Sequence, residues 1–327
     1  MLVLTLALGA CGGGEQLVSS ETPLPPGDPT APPADTTTPP ADTTSPPSTD
    51  TVVPPPPPPP PSAPPSHSGV AFGPSGAPST VFGAVYTGGH QNVQPDQLLV
   101  QLEAARRASA RVMVSLTGNE QWNRDANGFS ITLWKQRVDR FRSIDFASYI
   151  EDGTIIGHLL LDEPSDPHNW NGKVVPLAEI EEMARYSKEI WPSLTTIIRA
   201  WPSFLKGYEY RHLDATWIQY LDRFGDLEEF IATRVHDAKA LGLAVVGGVN
   251  AIHGGAKDNG MPSYGINKTS MSPSELRTWG GRLLSEDVCL FIIWEYRAAY
   301  FSRPEIQSAL EDLSRQAKSL PKKTCRR

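Results

Sequence analysis

The first eighty residues contain no lysine, no arginine and a single aromatic, Phe72. Their acids number six: Glu15, Glu21, Asp28, Asp35, Asp42 and Asp50. So little apolar bulk cannot bury a core, which excludes a folded N-terminal domain. Setting those six acids aside leaves 30 acidic against 29 basic residues, so the formal charge of −7 shrinks to about −1 in 81–327. A near-neutral domain removes the electrostatic basis for a nucleic-acid partner. No internal apolar run reaches the ~18 residues that a membrane span needs. His-x-His, His-Glu-x-x-His and Cys-x-x-Cys are missing, which leaves metal chemistry without a strong ligand motif. Serine chemistry lacks its Gly-x-Ser-x-Gly elbow.

What is present divides the chain of 327 residues into three. Residues 1–10 read Met-Leu-Val-Leu-Thr-Leu-Ala-Leu-Gly-Ala, an apolar run of signal-peptide length that meets Cys11. Leu-Gly-Ala-Cys resembles a bacterial lipobox, and the resemblance implies cleavage before Cys11 and a lipid on that residue. The bland alternative is an ordinary cleaved signal beside an incidental cysteine. No lysine or arginine precedes the apolar run, which predicts a start a few residues upstream. Residues 11–67 form a Pro/Thr/Ser-rich tether that holds 20 of the 32 prolines. They include the run Pro54–Pro61, expected as extended polyproline II at about 3.1 Å per residue. Export and lipid anchoring to a bacterial cell envelope follow, with the lipid as the one membrane contact.

In 68–327, short β-branched runs alternate with longer segments of helical period, the pattern of parallel strands joined by crossover helices. The expected strands are Val81–Tyr86, Arg111–Leu116, Thr154–Leu161, Thr195–Ala200, Ala215–Tyr220, Ala244–Asn250 and Leu290–Tyr296, with Val70–Phe72 as an eighth. Helix starts are marked by Gln94-Pro95, Ser130, Pro176, Asp226 and Ser272-Pro273, and a last helix runs from Ser302 to about Leu320. These elements predict a (β/α)8 TIM-type barrel with an irregular unit at Pro202–Asp214. An open doubly wound sheet is the runner-up, weakened by the lack of a glycine-rich fingerprint after the first strand. A monomer is expected. Of three cysteines, Cys289 should open the last strand and Cys325 follows the last, antiparallel helix, which predicts a Cys289–Cys325 disulfide.

In a barrel the chemistry gathers at the C-terminal strand ends. Those ends offer Tyr86, His90, Glu120, Trp122, Asp162, Glu163, Asp166, His168, Trp170, Arg199, Trp201, Tyr220, Asp222, Asn250, His253, Trp294, Glu295 and Tyr296. The sharpest signal is Leu159-Leu160-Leu161-Asp162-Glu163-Pro164, in which a buried strand delivers two acids and proline stops the ladder. It resembles the Asn-Glu-Pro that ends the fourth strand in a large clan of barrel glycoside hydrolases, with Asp162 standing where that clan has Asn. The resemblance implies that Glu163 is a general acid/base and that the partner is a carbohydrate. Glycoside cleavage needs a second carboxylate, for which Glu295 is the first candidate, Asp222 the reserve and Glu120 the third.

Substrate contacts are expected from Asp162, Tyr86, His90, Trp122, Trp170, Arg199, Trp201, Tyr220, Asn250, Trp294 and Tyr296. About two of the four tryptophans among them should serve packing instead. No cofactor and no metal is expected. Three other readings stand beside this one. The acids could be rim ion pairs, Asp162 or Glu163 with Arg199 and Glu295 with Arg297. The domain could be a surface-tethered carbohydrate-binding barrel without catalysis. It could also be a metal-dependent hydrolase using Asp162, Glu163, Asp166 and His168. Val249–Ser270 is expected to form a flap over the mouth.

Overall fold

The structure, a computed structural model, describes residues 68–265 and 268–327. The signal segment, Cys11 and the tether to residue 67 lie outside the described residues. Eight parallel strands form one sheet: β1 (Ala71–Pro74), β2 (Gly88–Asn92), β3 (Arg111–Ser115), β4 (Ile155–Asp162), β5 (Thr196–Arg199), β6 (Ala215–Trp217), β7 (Ala244–Asn250) and β8 (Val288–Trp294). Their order is β1-β8-β7-β6-β5-β4-β3-β2. A parallel bridge between Ser75 and His90 brings the two ends together, so the sheet closes on itself as a TIM-type barrel.

The helices obey their start signals. Between β3 and β4, Ser130 caps α1 (Ile131–Asp139) by accepting from the Leu133 N–H, and Asp226 caps α2 (Leu227–Ala240) by accepting from the Glu229 N–H. The final helix, α3 (Pro304–Ser319), buries Ile306, Ala309, Leu310, Leu313 and Ala317, a stripe at helical spacing against the sheet. Further helices cover the outside at Leu98–Arg107 and Leu177–Ile190. The irregular unit is present: Pro202–Asp214 holds only the short helix Pro202–Leu205. No helix among the described residues is long and apolar enough to cross a membrane.

One expectation about the strands needs correction. Val81–Tyr86 is not a strand; the chain makes a 3-10 turn at Ser79–Val81, and β2 begins at Gly88. Its sequence, Gly-Gly-His-Gln-Asn, has no β-branched residue, because closure of the barrel needs backbone contact there. A Cβ on Gly88 would lie 2.5 Å from the Arg111 carbonyl oxygen and 2.8 Å from the Ala71 Cβ. Close approach thus overrides propensity. The expected eighth strand is present. The Val70–Phe72 run does become the first strand, so Asp162-Glu163 follows the fourth.

Side-chain alternation then sorts the barrel. Ala71, Met113, Leu159, Ile197, Ala215, Trp217, Val246, Leu290 and Ile292 form the interior cluster, while Ile218, Tyr220, Val245, Val249 and Phe291 join the helices outside. Each fully buried large apolar side chain contributes about 1.5–3 kcal/mol. Cys289 and Cys325 are disulfide-bonded, with Cα atoms 5.2 Å apart, and both belong to the interior cluster, so the C-terminal tail is fixed at the start of β8.

Candidate active site

Where β4 and β5 run out, Asp162 and Arg199 are register partners. Arg199 donates to Asp162 Oδ1 at 2.5 Å and to Glu163 Oε1 at 3.1 Å. Its guanidinium also lies 5.2 Å from the ring centres of both Trp217 and Trp294, whose indoles stand 6.1 Å apart. This cation-on-indole arrangement stands at the C-terminal ends of β5, β6 and β8. His90 meets Trp217 from the other side, at 5.9 Å, with its Nδ1 2.9 Å from Ser75 Oγ.

Glu163 is held by its backbone. Its φ is +41°, in the left-handed region that non-glycine residues avoid. Its N–H donates to the Arg199 carbonyl at 3.0 Å, and its own carbonyl accepts from the Trp170 indole at 2.9 Å and the Asp166 N–H at 3.1 Å. The side chain stays 47% exposed, against 20% for Asp162 and 15% for Arg199. Glu163 is therefore the acid that a ligand can reach.

The electrostatics favour a proton there. Arg199 pulls the Glu163 carboxyl down, but burial and the charges of Asp162 and Asp166 outweigh it, leaving its pKa above the ordinary value. Burial raises Asp162 too, against the pull of Arg199. Desolvation lowers Arg199, and its two carboxylates more than restore it. Burial, then the Arg199 charge, pushes His90 down to about 3.

The remaining candidates divide. Glu295 follows β8, after a cis peptide from Trp294, and its carboxylate pairs with Arg297. The largest charge effects on Glu163 come from Arg199, Asp162, Asp166 and Arg223, and Glu295 acts on His253. Glu120 acts on Asp162 and Arg199. Asp222 opens the turn Asp222–Phe224, its N–H donating to Gly254. Both rim ion pairs foreseen from the sequence, Arg199 with the β4 acids and Arg297 with Glu295, are present.

Three aromatics expected to contact substrate are packing residues instead. Trp170 is fully buried and spends its indole N–H on Glu163. Tyr220 is buried against Phe230 and Trp279, its hydroxyl donating to the Gly225 carbonyl. Tyr86 precedes β2 and packs its ring against Phe72 and Phe301. Trp201 is half-buried beside Phe224 and Phe230 with the Arg234 guanidinium 4.6 Å from its ring centre. Tyr296 packs on Phe301. Trp122 is 53% exposed under Arg137, and Trp294, at the end of β8, is half-buried. Asn250 ends β7 and accepts from the His253 N–H.

Asp166 turns onto His168, 3.1 Å away, and among the described residues no three His, Cys, Asp or Glu side chains converge as metal ligands would. In the segment expected as a flap, Glu275 accepts from the Ala256 and Asn259 nitrogens, and it also accepts from the Ser272 N–H. Cavities of about 330 and 400 Å³ lie away from the mouth, one by Ser68, Arg111 and Lys318, the other along Arg142–Ala147. Sequence reasoning passed over Trp217 and Gln219. The signal was their alternation with Ile218 and Tyr220, which face the helices.

No family model and no curated protein matches the sequence. Solved structures of similar fold include a glycoside hydrolase family 18 chitinase from Pseudoalteromonas aurantia, 8% identical over 73% of this chain and 98% of that one, TM-score 0.44. A family 5 mannosidase from Rhizomucor miehei is 11% identical over 75% and 82%, TM-score 0.46. An endocellulase from Pyrococcus horikoshii, in complex with cellotetraose, is 9% identical over 76% and 92%, TM-score 0.49. At 8–11% identity the likeness is one of fold alone.

Proposed function

We propose that this chain is an exported, envelope-anchored barrel that hydrolyses a glycan, with Glu163 as general acid/base and Glu295 as the second carboxylate. The observation that carries the reading is Glu163 itself. It is backbone-clamped after the fourth strand, half-exposed at the mouth, and shifted toward the protonated form. A general acid must hold its proton at working pH, and burial beside another carboxylate is how a glutamate does so. Glu163 would give that proton to the glycosidic oxygen as the C–O bond breaks. Glu295 would take the anomeric carbon or the proton of the attacking water, which supplies the new hydroxyl. Trp294 and Trp122 offer apolar faces for sugar rings. The test is turnover on a panel of neutral and acidic glycans by the parent and by Glu163→Gln, with the fold checked by circular dichroism.

A second reading, carbohydrate binding without cleavage, is favoured by one observation: each acid of the proposed pair is already engaged by an arginine. Binding in the parent without turnover on any glycan would select it. Export and lipidation at Cys11 rest on Leu-Gly-Ala-Cys. Palmitate labelling in a bacterial host should mark the parent and not Cys11→Ser. Labelling of both would leave the anchor without support.

A further inference from the structure

Gln219 is 3% exposed, and neither its amide oxygen nor its amide nitrogen has a partner among the described residues. Trp217 Nε1 and His90 Nε2 are in the same condition. Such orphans are uncommon, since each buried polar group without a partner costs stability. The His90 and Trp217 rings lie 5.9 Å apart, and Gln219 follows two residues after Trp217. Trp217 belongs to the barrel interior, Ile218 and Tyr220 to the helix side, so alternation turns Gln219 inward, one layer nearer the mouth than Trp217. The pairing of Trp217 with Val246 and of Tyr220 with Val249 sets Gln219 beside Gly248. A Cβ on Gly248 would come within 3.1 Å of Trp217 Nε1, so the glycine keeps that donor uncovered by a side chain. Apolar layers lie below and helices outside. None of these groups finds a partner among the described residues.

We propose that Gln219, with Trp217 Nε1 and His90 Nε2, forms a floor that binds the hydroxyls of an uncharged sugar, and that Gln219 is the specificity-determining residue. This rests on the glycan reading and names the substrate class. The floor carries dipoles and no net charge, because burial keeps His90 neutral and the nearby Arg199 is balanced by Asp162 and Glu163. A hydroxyl donates and accepts, and so matches an amide with both ends free. A carboxylate only accepts, would leave the amide oxygen unpaired and would add charge beside Glu163.

The experiment is calorimetric titration of Glu163→Gln, which spares the ligand, with cello-, manno- and chitotetraose and with tetragalacturonate. Gln219→Leu is then added and the thermal midpoint is measured. The expected result is binding of a neutral tetraose that weakens about tenfold or more with Gln219→Leu, while the midpoint holds or rises, because an apolar isostere removes an unpaired buried amide. Unchanged affinity would overturn the inference and leave the glycan reading standing. So would a midpoint that falls along with affinity, since Gln219 would then be structural. Tetragalacturonate binding more tightly than every neutral ligand would overturn the sugar class. If none of the four binds, the glycan reading fails and this inference with it.

Discussion

Replacing Arg199 by alanine would strip two carboxylates of their counter-charge at once, one of them, Asp162, deeply placed. Removing one member of a buried ion pair costs about 3–5 kcal/mol, and Arg199→Ala should lose stability of that order in urea unfolding; a change under about 1 kcal/mol would mean that the cluster is a solvated rim. The same substitution removes the largest downward pull on Glu163. Glu163 acts as an acid only while protonated, so turnover should fall as pH rises through its elevated pKa. In Arg199→Ala that alkaline limb should move to higher pH, and a pH–rate profile that keeps its limb would separate Glu163 from the proton transfer. At this scale the sequence was a partial guide. Asp162, Glu163 and Arg199 were visible because acids at the end of an apolar strand need a reason. Which face of the strand each looks onto was not, since both faces of a barrel strand are buried.

Among the elements, the capping box at Ser272 is a separable support: Ser272 and Glu275 exchange hydrogen bonds, and the same glutamate holds Ala256 and Asn259. Ser272→Ala should cost about 1 kcal/mol, whereas Glu275→Ala should cost more and speed amide exchange across 251–265; equal small effects would show that this segment is held elsewhere. Elements were legible where propensity and context agree. Ala244–Asn250 was read to the residue from its apolar run, and Ser130, Pro176 and Asp226 marked their helices. Gly88–Asn92 was missed because its glycines answer to neighbouring backbone, which no local pattern records. Tyr86, Trp170 and Tyr220 were misplaced for a related reason. An aromatic near a strand end looks the same whether it faces the mouth or a helix.

For the molecule as a whole, two buried histidines make acid the weak direction. Burial holds His158, stacked on Trp134 and bound to Ser187, at about 3 against an ordinary 6.5, and His90 stands at about 3 as well. Between those values the unfolded chain binds more protons than the folded one. Stability should be complete above pH 6.5 and decline as pH falls toward 3, by up to about 1.4 kcal/mol per unit for each histidine. Urea midpoints at pH 7 and 4.5 read this directly, and His158→Gln should flatten the difference; equal midpoints in the parent would contradict it. The disulfide closes a span of 36 residues and should add about 3–4 kcal/mol, seen as a lower midpoint under reductant. What the molecule does turns on one acid. The most direct measurement is the rate at which the purified domain releases reducing ends from the glycan it binds best, for the parent and for folded Glu163→Gln. The expected result is turnover in the parent that falls about 10²–10⁴-fold in the variant, in line with loss of a general acid. Equal turnover in the two proteins, or binding without turnover in either, would contradict it.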